Sequence, residues 1–395
     1  MKKTVAIIGG GPSALLAAAF LDPNKFEVII YEKNKSLGRK FLVAGQGGFN
    51  LTHSESIETM IGRFTPDHFL KDALLNFTNE NLRTWLQDIG IPTIVGSSKR
   101  VYPEKGIKPI TVLNKILDVL VKQNVQFKFD HHWQGWGAKD ELLFNNNRTV
   151  RADLIIFSLG GGSYKVTGSD GSWIETFNTR GIKTVPLLPS NCAYRIDWPK
   201  VFIEKNEGAP LKNISLSCLK KMQKGELVIT RFGLEGNAIY ALSPEIQSGL
   251  SKIGSATIFI DLKPMLALNE LKEIIINTRL KTTESLKREL KLSNAQIHLL
   301  KSMLTKEEFL DRNILCKKIK SLPLTILSAA PIDEAISTTG GISLKEVNRN
   351  FELYKLKNTF CIGEMLDWNA PTGGYLLQAC FSMGVSVAKY LNVDR

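Results

Sequence analysis

The sequence predicts an α/β fold in which one parallel-sheet domain is built from both ends of the chain and interrupted by an inserted segment of another kind. Three observations predict it. Apolar β-branched runs at 4–8, 28–31 and 152–159 read as strands buried on both faces, with helical patterns between them. From 192 to 260 the pattern changes to short strands separated by turn residues, and from 263 to 320 it becomes helical with almost no strand signal. Strand signal then returns at 342–343 and 359–362, and an apolar helix at 375–391 closes the pattern. The expected divisions are 1–188 for the first part of the parallel-sheet domain and 189–262 for an inserted β-barrel-like domain. An inserted helical subdomain follows at 263–322, and 323–395 returns to the first domain.

Composition bounds the reading. A chain of 395 residues exceeds what one simple core holds, so two or three domains are expected. The 43% hydrophobic and 23% charged content is that of an ordinary globular protein. No run approaches the ~18 consecutive apolar residues of a spanning helix, so no membrane insertion is expected. The basic start runs straight into glycines without a secretory apolar core, which predicts a cytoplasmic protein. Cys192, Cys218, Cys316, Cys361 and Cys380 are scattered, and none forms a C-x-x-C pair. Redox chemistry is therefore expected from a bound cofactor and not from thiols. His131 and His132 are adjacent and lack the i, i+4 spacing of a helical metal site, so no metal is expected. The net charge of +13 admits nucleic acid or another anionic partner. Its lysines are spread along the chain without aromatic interleaving, which favours a basic solvated surface and a small-molecule substrate while leaving nucleic acid open. Oligomeric state is not legible.

The first strand (4–8) leads into Gly9-Gly10-Gly11-Pro12-Ser13-Ala14 and an Ala/Leu-rich helix at 13–21. This fits G-x-G-x-x-A in the strand–helix context that a Rossmann-like dinucleotide cradle requires. Gly9 permits the tight turn, Gly11 leaves room for a pyrophosphate, and Ala14 lets the helix pack on the strand. The helix N-terminus then offers N–H donors to phosphate oxygens. Glu32 ends the second strand about twenty residues on, where a carboxylate accepts from adenosine ribose hydroxyls. Residues 67–90 carry one helical pattern (Phe69, Leu70, Leu74, Leu75, Leu82, Trp85, Leu86) that stops at Gly90 with Pro92 beyond. A second amphipathic helix at 109–122 places Val112, Leu113, Ile116, Val119 and Leu120 on one face. Residues 125–129 and 141–144 alternate as strands. Inside the insertion, strands are expected at 201–203, 214–219, 226–230 and 257–260.

Three further features favour FAD over a nicotinamide dinucleotide as the resident cofactor. The loop from Gly38 to Asn50 carries Arg39 and Lys40, suited to pyrophosphate or a flavin's pyrimidine edge, and glycines that let backbone approach a flat ring. Ser158 to Ser163 follows the third buried strand but lacks a packed helix and an acid-terminated strand behind it. No second dinucleotide fingerprint is therefore visible, and NAD(P)H is expected only as a transient reductant. Finally, a strand delivers Gly363, a loop carries Asp367 for a ribityl hydroxyl, and Gly373-Gly374 opens the last helix. A glycine-fronted helix N-terminus suits the negative charge that a reduced flavin gathers near N1 and the C2 carbonyl.

With these stretches in place, IIGGGPSALLAA, EKNKSLGRKFLVAGQGGFNLTHS, FSLGGGSYKVTGSDG, STTGGIS and FCIGEMLDWNAPTGGYLLQACFSMG, the chain resembles the YhiN/BaiN-like family of bacterial FAD-containing oxidoreductases. The resemblance implies a Rossmann-like FAD-binding domain with an inserted β-barrel and a helical subdomain. It places Gly9, Gly11, Ser13, Ala14, Glu32, Lys33, Arg39, Lys40, Ala44, Gly45, Gly161, Gly363, Glu364, Asp367, Gly374 and Tyr375 at the cofactor; Pro12 and Gly373 join them from the motifs. Much of that family carries Arg-Cys before the asparagine of the glycine-rich loop, whereas Gly48-Phe49 precede Asn50 here. The bile-acid enone chemistry of one branch is therefore not transferred.

The expected activity is hydride transfer between N5 of FAD and an organic substrate, in which the protein positions and polarises. The candidates for moving a proton are Tyr375 and Lys40, with Tyr102 and His53 beside them. Two other readings stand next to this one: a flavoprotein that acts on or binds RNA, and a flavin-binding sensor without catalysis.

Overall fold

Strand β1 (Lys3–Ile8) carries Val5, Ala6, Ile7 and Ile8, all buried, as a strand flanked by helices on both faces requires. It pairs in parallel with β2 (Phe26–Tyr31) on one side, Val5 facing Val28, and with β4 (Leu154–Phe157) on the other, Val5 facing Leu154. Strand β3 (Gln126–Lys128) extends the sheet beyond β2, and β5 (Thr359–Cys361) extends it beyond β4, again in parallel. The order β3-β2-β1-β4-β5 is that of a doubly wound dinucleotide fold. Helix α1 (Pro12–Phe20) follows β1, α2 (Pro109–Lys122) precedes β3, and α3 (Tyr375–Asn392) follows β5.

This computed structural model describes residues 1–43 and 49–393. They divide into two units, Met1–Leu188 with Ser337–Arg395, and Pro189–Ile336.

In the first unit, α1 and α3 meet backbone to backbone. A Cβ built on Gly384 of α3 would lie 2.3 Å from the Ser13 carbonyl oxygen and 2.9 Å from the Ala17 nitrogen of α1. The buried alanines of α1 (Ala14, Ala17, Ala18) serve the same close approach. The single helix expected over 67–90 is two helices, Lys71–Asn76 and Asn79–Asp88. Thr78 and Asn81 form a reciprocal capping box, the Thr78 hydroxyl accepting from the Asn81 N–H at 3.2 Å and the Asn81 carbonyl from the Thr78 N–H at 3.0 Å. The break leaves the Phe77 carbonyl outside a helix. It accepts from Gln378 Nε2 at 3.0 Å and Ser382 Oγ at 2.7 Å, both fully buried on α3.

The second unit holds a seven-stranded antiparallel sheet. Its order is Leu322–Ile326, Ala256–Asp261, Pro210–Cys218, Lys221–Ile229, Gly233–Glu235, Tyr194–Arg195 and Ser328–Ala329. The first and last of these are joined through Leu327 alone, so the two edges of the sheet are covalent neighbours and the sheet must curl round on itself. Its interior is filled by Tyr194, Leu216, Leu227, Ile229, Ile258 and Ile326. Helices from Leu268–Asn277 to Arg312–Lys320 cover the stretch read as helical from sequence.

Two expectations are corrected here. Residues 201–203 lie in a helix, Lys200–Asn206, which buries Phe202 and Asn206 four apart and leaves Val201 exposed. The first unit resumes at Ser337 and not at 323, because Leu322–Ile326 and Ser328–Ala329 complete the antiparallel sheet.

Gly384→Val should force α3 away from α1 and lower stability by about 1–3 kcal/mol, the usual cost of overpacking. Urea denaturation checks this, and a midpoint equal to that of the unaltered protein would show that the helices do not rely on the glycine.

Candidate functional site

The carboxyl ends of β1, β4 and β5 carry the glycines that the sequence analysis singled out, and the structure separates their reasons. Gly9 has φ +97°, and a Cβ there would meet the Ser158 carbonyl oxygen at 2.4 Å. On Gly10 it would strike Leu37 at 2.2 Å, on Gly363 the Ser13 hydroxyl at 2.6 Å, and on Gly161 the Thr338 hydroxyl at 2.0 Å. Protein packing alone explains these four. Gly11 differs: a Cβ would approach nothing nearer than Ser158 Oγ at 4.0 Å. The space over Gly11 is left open by the protein's own packing, which is what a phosphate cradle requires. The N–H groups of Gly11, Ser13 and Ala14 find no acceptor among the described residues, and α1 has no side-chain cap. Pro12, at the first helical position, has no N–H to satisfy. The Ser13 and Ser158 hydroxyls pair at 2.7 Å and tie the start of α1 to the end of β4.

Glu32 is buried at the end of β2. One carboxylate oxygen accepts from the Gly10 N–H at 2.9 Å, and the other from the backbone and side-chain nitrogens of Asn34, each at 2.8 Å. Lys33 pairs with Asp170 at 2.8 Å. Burial alone would raise the Asp170 carboxyl, but hydrogen bonds from Lys33 and Ser172 outweigh it and hold the group below its ordinary range. Arg39 donates to Asn34 Oδ1 at 2.6 Å and to the Val166 carbonyl at 2.9 Å. Glu32, Lys33 and Arg39 thus gather around one end of the sheet edge, and Lys33 and Arg39 anchor the segment from Val166 to Asp170 there.

Lys40 lies in a second group. It donates to Glu364 Oε2 and to Ser163 Oγ, both at 2.7 Å, while Glu364 Oε1 accepts from the Thr338 N–H at 3.0 Å. Arg39 and Lys40 were expected beside pyrophosphate or a flavin's pyrimidine edge, and each also has partners within the protein. Asp367 accepts from the Gly340 N–H at 3.0 Å, and burial raises its carboxyl. The Cys380 thiol, beside Gly363, is pushed up to about 12, chiefly by burial, and so stays protonated. Ala44 and Gly45 lie outside the described residues.

The third group surrounds the start of α3. Gly373 and Gly374 have φ +118° and +100°, and a Cβ on Gly374 would lie 2.5 Å from the Thr52 carbonyl. The strand Thr52–His53 therefore lies directly against the diglycine, and the Thr52 hydroxyl donates to Gln378 Oε1 at 2.7 Å. The His53 ring stacks on Tyr375, centroids 5.2 Å apart and planes at 22°. His53 Nδ1 accepts from the Glu55 N–H at 3.2 Å, which puts the ring proton on Nε2. Burial lowers the imidazole, and the nearby Glu55 only partly offsets it. The Tyr375 hydroxyl donates to Glu55 at 2.8 Å, and Arg63 grips the same carboxylate through Nε at 3.1 Å and a terminal nitrogen at 2.9 Å. Burial, with Glu55 adding, pushes the Tyr375 phenol well above its ordinary range. Tyr102 packs instead under Gly96, whose Cβ position is 3.0 Å from its ring.

Glu55, Arg63, Arg100 and Gln378 belong to these groups and were not singled out from sequence. None sits in a spacing that carries a chemical signal; each is drawn in by the pairing of Thr52–His53 with α3. Among the described residues, no helix is long and apolar enough to cross a membrane.

A family model described as HI0933-like protein Rossmann domain matches residues 3–390. The chain is 24% identical to a 3-dehydro-bile acid delta(4,6)-reductase of Clostridium scindens, over 96% of this chain and 97% of that one. It is 23% identical to ribosomal RNA dihydrouridine synthases of Escherichia coli, over 98% and 97% of the two chains, and of Haemophilus influenzae, over 98% of each.

The Glu55 cluster has a pH signature. Burial would raise this carboxyl, but Arg63 and Tyr375 more than offset it and hold it below its ordinary value. A lowered folded-state value contributes stability above the unfolded value of about 4.3 and loses it as pH falls through the folded one. The melting temperature of Glu55→Gln should therefore fall furthest below that of the unaltered protein near neutral pH, the gap closing below about pH 4. A gap independent of pH would show that the ionised carboxylate is not what holds the cluster.

Proposed function

We propose, for a chain that belongs to the HI0933-like family and is an FAD-dependent oxidoreductase, that its reaction is the saturation of a carbon–carbon double bond activated by a neighbouring carbonyl. The names of the similar proteins share one transformation, the addition of two hydrogens across such a bond, in a bile-acid skeleton in one case and in a uracil ring in the other. The observation that carries the cofactor placement is the open space over Gly11 with its unmatched N–H groups, set at the carboxyl edge of the sheet.

The residues fit FAD in the following way. Gly11, Ser13 and Ala14 would bind the pyrophosphate through backbone N–H groups, with Pro12 fixing the entry to α1 and Gly9 the turn before it. Glu32 would orient the adenosine ribose, and Lys33 and Arg39 would hold the adjoining segment in place. Asp367, whose raised carboxyl favours a hydrogen-bonding partner, would take a ribityl hydroxyl. Gly363, Gly373 and Gly374 would let the backbone approach the ring, with Gly161, Lys40 and Glu364 fixing the loops beneath it. When bound, FAD supplies hydride chemistry at N5.

Lys40 is engaged by Glu364 and Ser163, and Tyr375 by Glu55. This reading assigns both to shaping the cofactor site and not to carrying the proton of the reaction. A second reading, that the double bond lies in RNA, is favoured by the net charge of +13 and by the two ribosomal RNA dihydrouridine synthases among the similar proteins.

Anaerobic mixing tests the chemistry. The bound flavin should bleach with NADH or NADPH and recover its colour when an acceptor with a conjugated double bond is added. Bleaching that no steroid enone and no uridine-containing RNA reverses would overturn the reading. RNA retention that persists at ~150 mM salt favours the second reading, and loss below that favours the small molecule. Gly11→Val should abolish FAD retention while leaving the apoprotein's urea midpoint nearly unchanged, since the new side chain meets little but open space. A Gly11→Val protein that purified yellow at full stoichiometry would show the cradle to be misplaced. Glu32→Ala should weaken FAD about tenfold or more, the loss of a charge-assisted bond, as read by titration of the apoprotein.

A further inference from the structure

We propose that Arg100 supplies the positive charge that stabilises reduced flavin at its pyrimidine edge, an inference that rests on the placement of Gly373–Tyr375 at that edge. The residue enters the site through strand pairing. The strand Arg100–Pro103 runs antiparallel to Thr52–His53, with Arg100 directly opposite His53. Residues paired in this way send their side chains to the same face of a sheet. That face covers the start of α3, because His53 stacks on Tyr375 there. Arg100 reaches the same place: a Cβ built on Gly373 would lie 3.5 Å from its Nε.

The charge balance around it is uneven. Lys33, Lys40 and Arg63 each hold a carboxylate, of Asp170, Glu364 and Glu55 respectively. The half-buried Arg100 side chain has neither a hydrogen bond nor an ion pair among the described residues. Glu55, the acid of this group, is already engaged by Arg63 and Tyr375. A guanidinium partly screened from water without a counter-charge is less well stabilised than a paired one, and an anion beside it offsets that. Gly373 keeps the adjoining space clear, since every other residue would project a side chain toward the guanidinium and few tolerate φ +118°. The N-terminus of α3 adds a partial positive charge of the same sign at the same point.

Transfer of a hydride from a nicotinamide-class donor to N5 breaks the donor's C–H bond, oxidises the donor by two electrons and leaves the flavin with one more negative charge, with no proton taken from solvent. Arg100 is the fixed counter-charge for that gain, and it takes no part in moving hydride or proton.

The test uses FAD-loaded protein carrying Arg100→Met, Arg100→Gln or Arg100→Lys, with the midpoint potential of bound FAD and its affinity for sulfite as readouts. Sulfite adds at N5 and creates the same ring charge, so it reports on the counter-charge without turnover. The neutral variants should lower the reduction equilibrium at least tenfold, about 30 mV for a two-electron couple, and weaken sulfite binding by a similar factor. Arg100→Lys should recover most of both. Neutral variants that keep FAD, with potential and sulfite affinity within twofold of the unaltered protein, overturn the proposal. Loss of FAD from all three variants also overturns it, since the side chain is then structural; loss from the neutral pair with retention in Arg100→Lys supports it. Unaltered protein that binds no FAD would instead remove the underlying placement.

Discussion

The parallel pairing of β5 with β4 is the contact on which the candidate site depends. Residues 359–361 lie far along the chain from β1, yet three backbone registers against Ile155, Ile156 and Phe157 place them in the same sheet. Everything that follows is then fixed in space: Gly363 falls against Ser13, Glu364 reaches Lys40, and α3 runs back along α1. Without that pairing the first cradle would still form, because its strand, turn and helix are contiguous. The diglycine at the start of α3 would have nothing to lean on.

Two buried polar links make the arrangement specific. Gln378 and Ser382 converge on the carbonyl that the Thr78 capping box releases at Phe77, and the Thr52 hydroxyl completes Gln378 from the other side. A helix break, a short strand and the last helix are thereby locked in one register. Slippage of any of them would strand a buried polar group, at a cost of about 1–3 kcal/mol. The Glu55 carboxylate plays the matching role beside the same group, where it holds Arg63 and Tyr375 together.

What was legible in the sequence was local. The first cradle, Glu32, the strand at β5 and the glycine-fronted last helix all announce themselves through spacing within a few residues. The helix break at Phe77–Thr78 was hidden because apolar periodicity runs through it, while a Thr–Asn box overrides the pattern. Val201–Ile203 reads as a strand by composition, yet Pro199 starts a helix there and lets Val201 face water. Leu322–Ile326 was not read as a strand from sequence, and a strand does not in any case carry in its own residues the sheet to which it belongs. Arg39 and Lys40 were legible as cations; their protein partners, brought in from 34, 163, 166 and 364, were not. Arg100 and Glu55 have no motif at all and become visible only once Thr52–His53 is paired.

The division of the chain also sets an order of events during synthesis. Pro189–Ile336 is one continuous stretch, whereas the unit that holds the cradle needs residues on both sides of it. A ribosome delivers the chain from its N-terminus at roughly 5–20 residues per second. The inserted unit can therefore close while the surrounding one still lacks β5 and α3. For that interval β4 presents an unpaired edge on an otherwise apolar sheet, the kind of surface that chaperones guard. Loading of the cofactor is in this sense a finishing step: the pocket that would hold the ring comes into being only when the last helix leaves the exit tunnel.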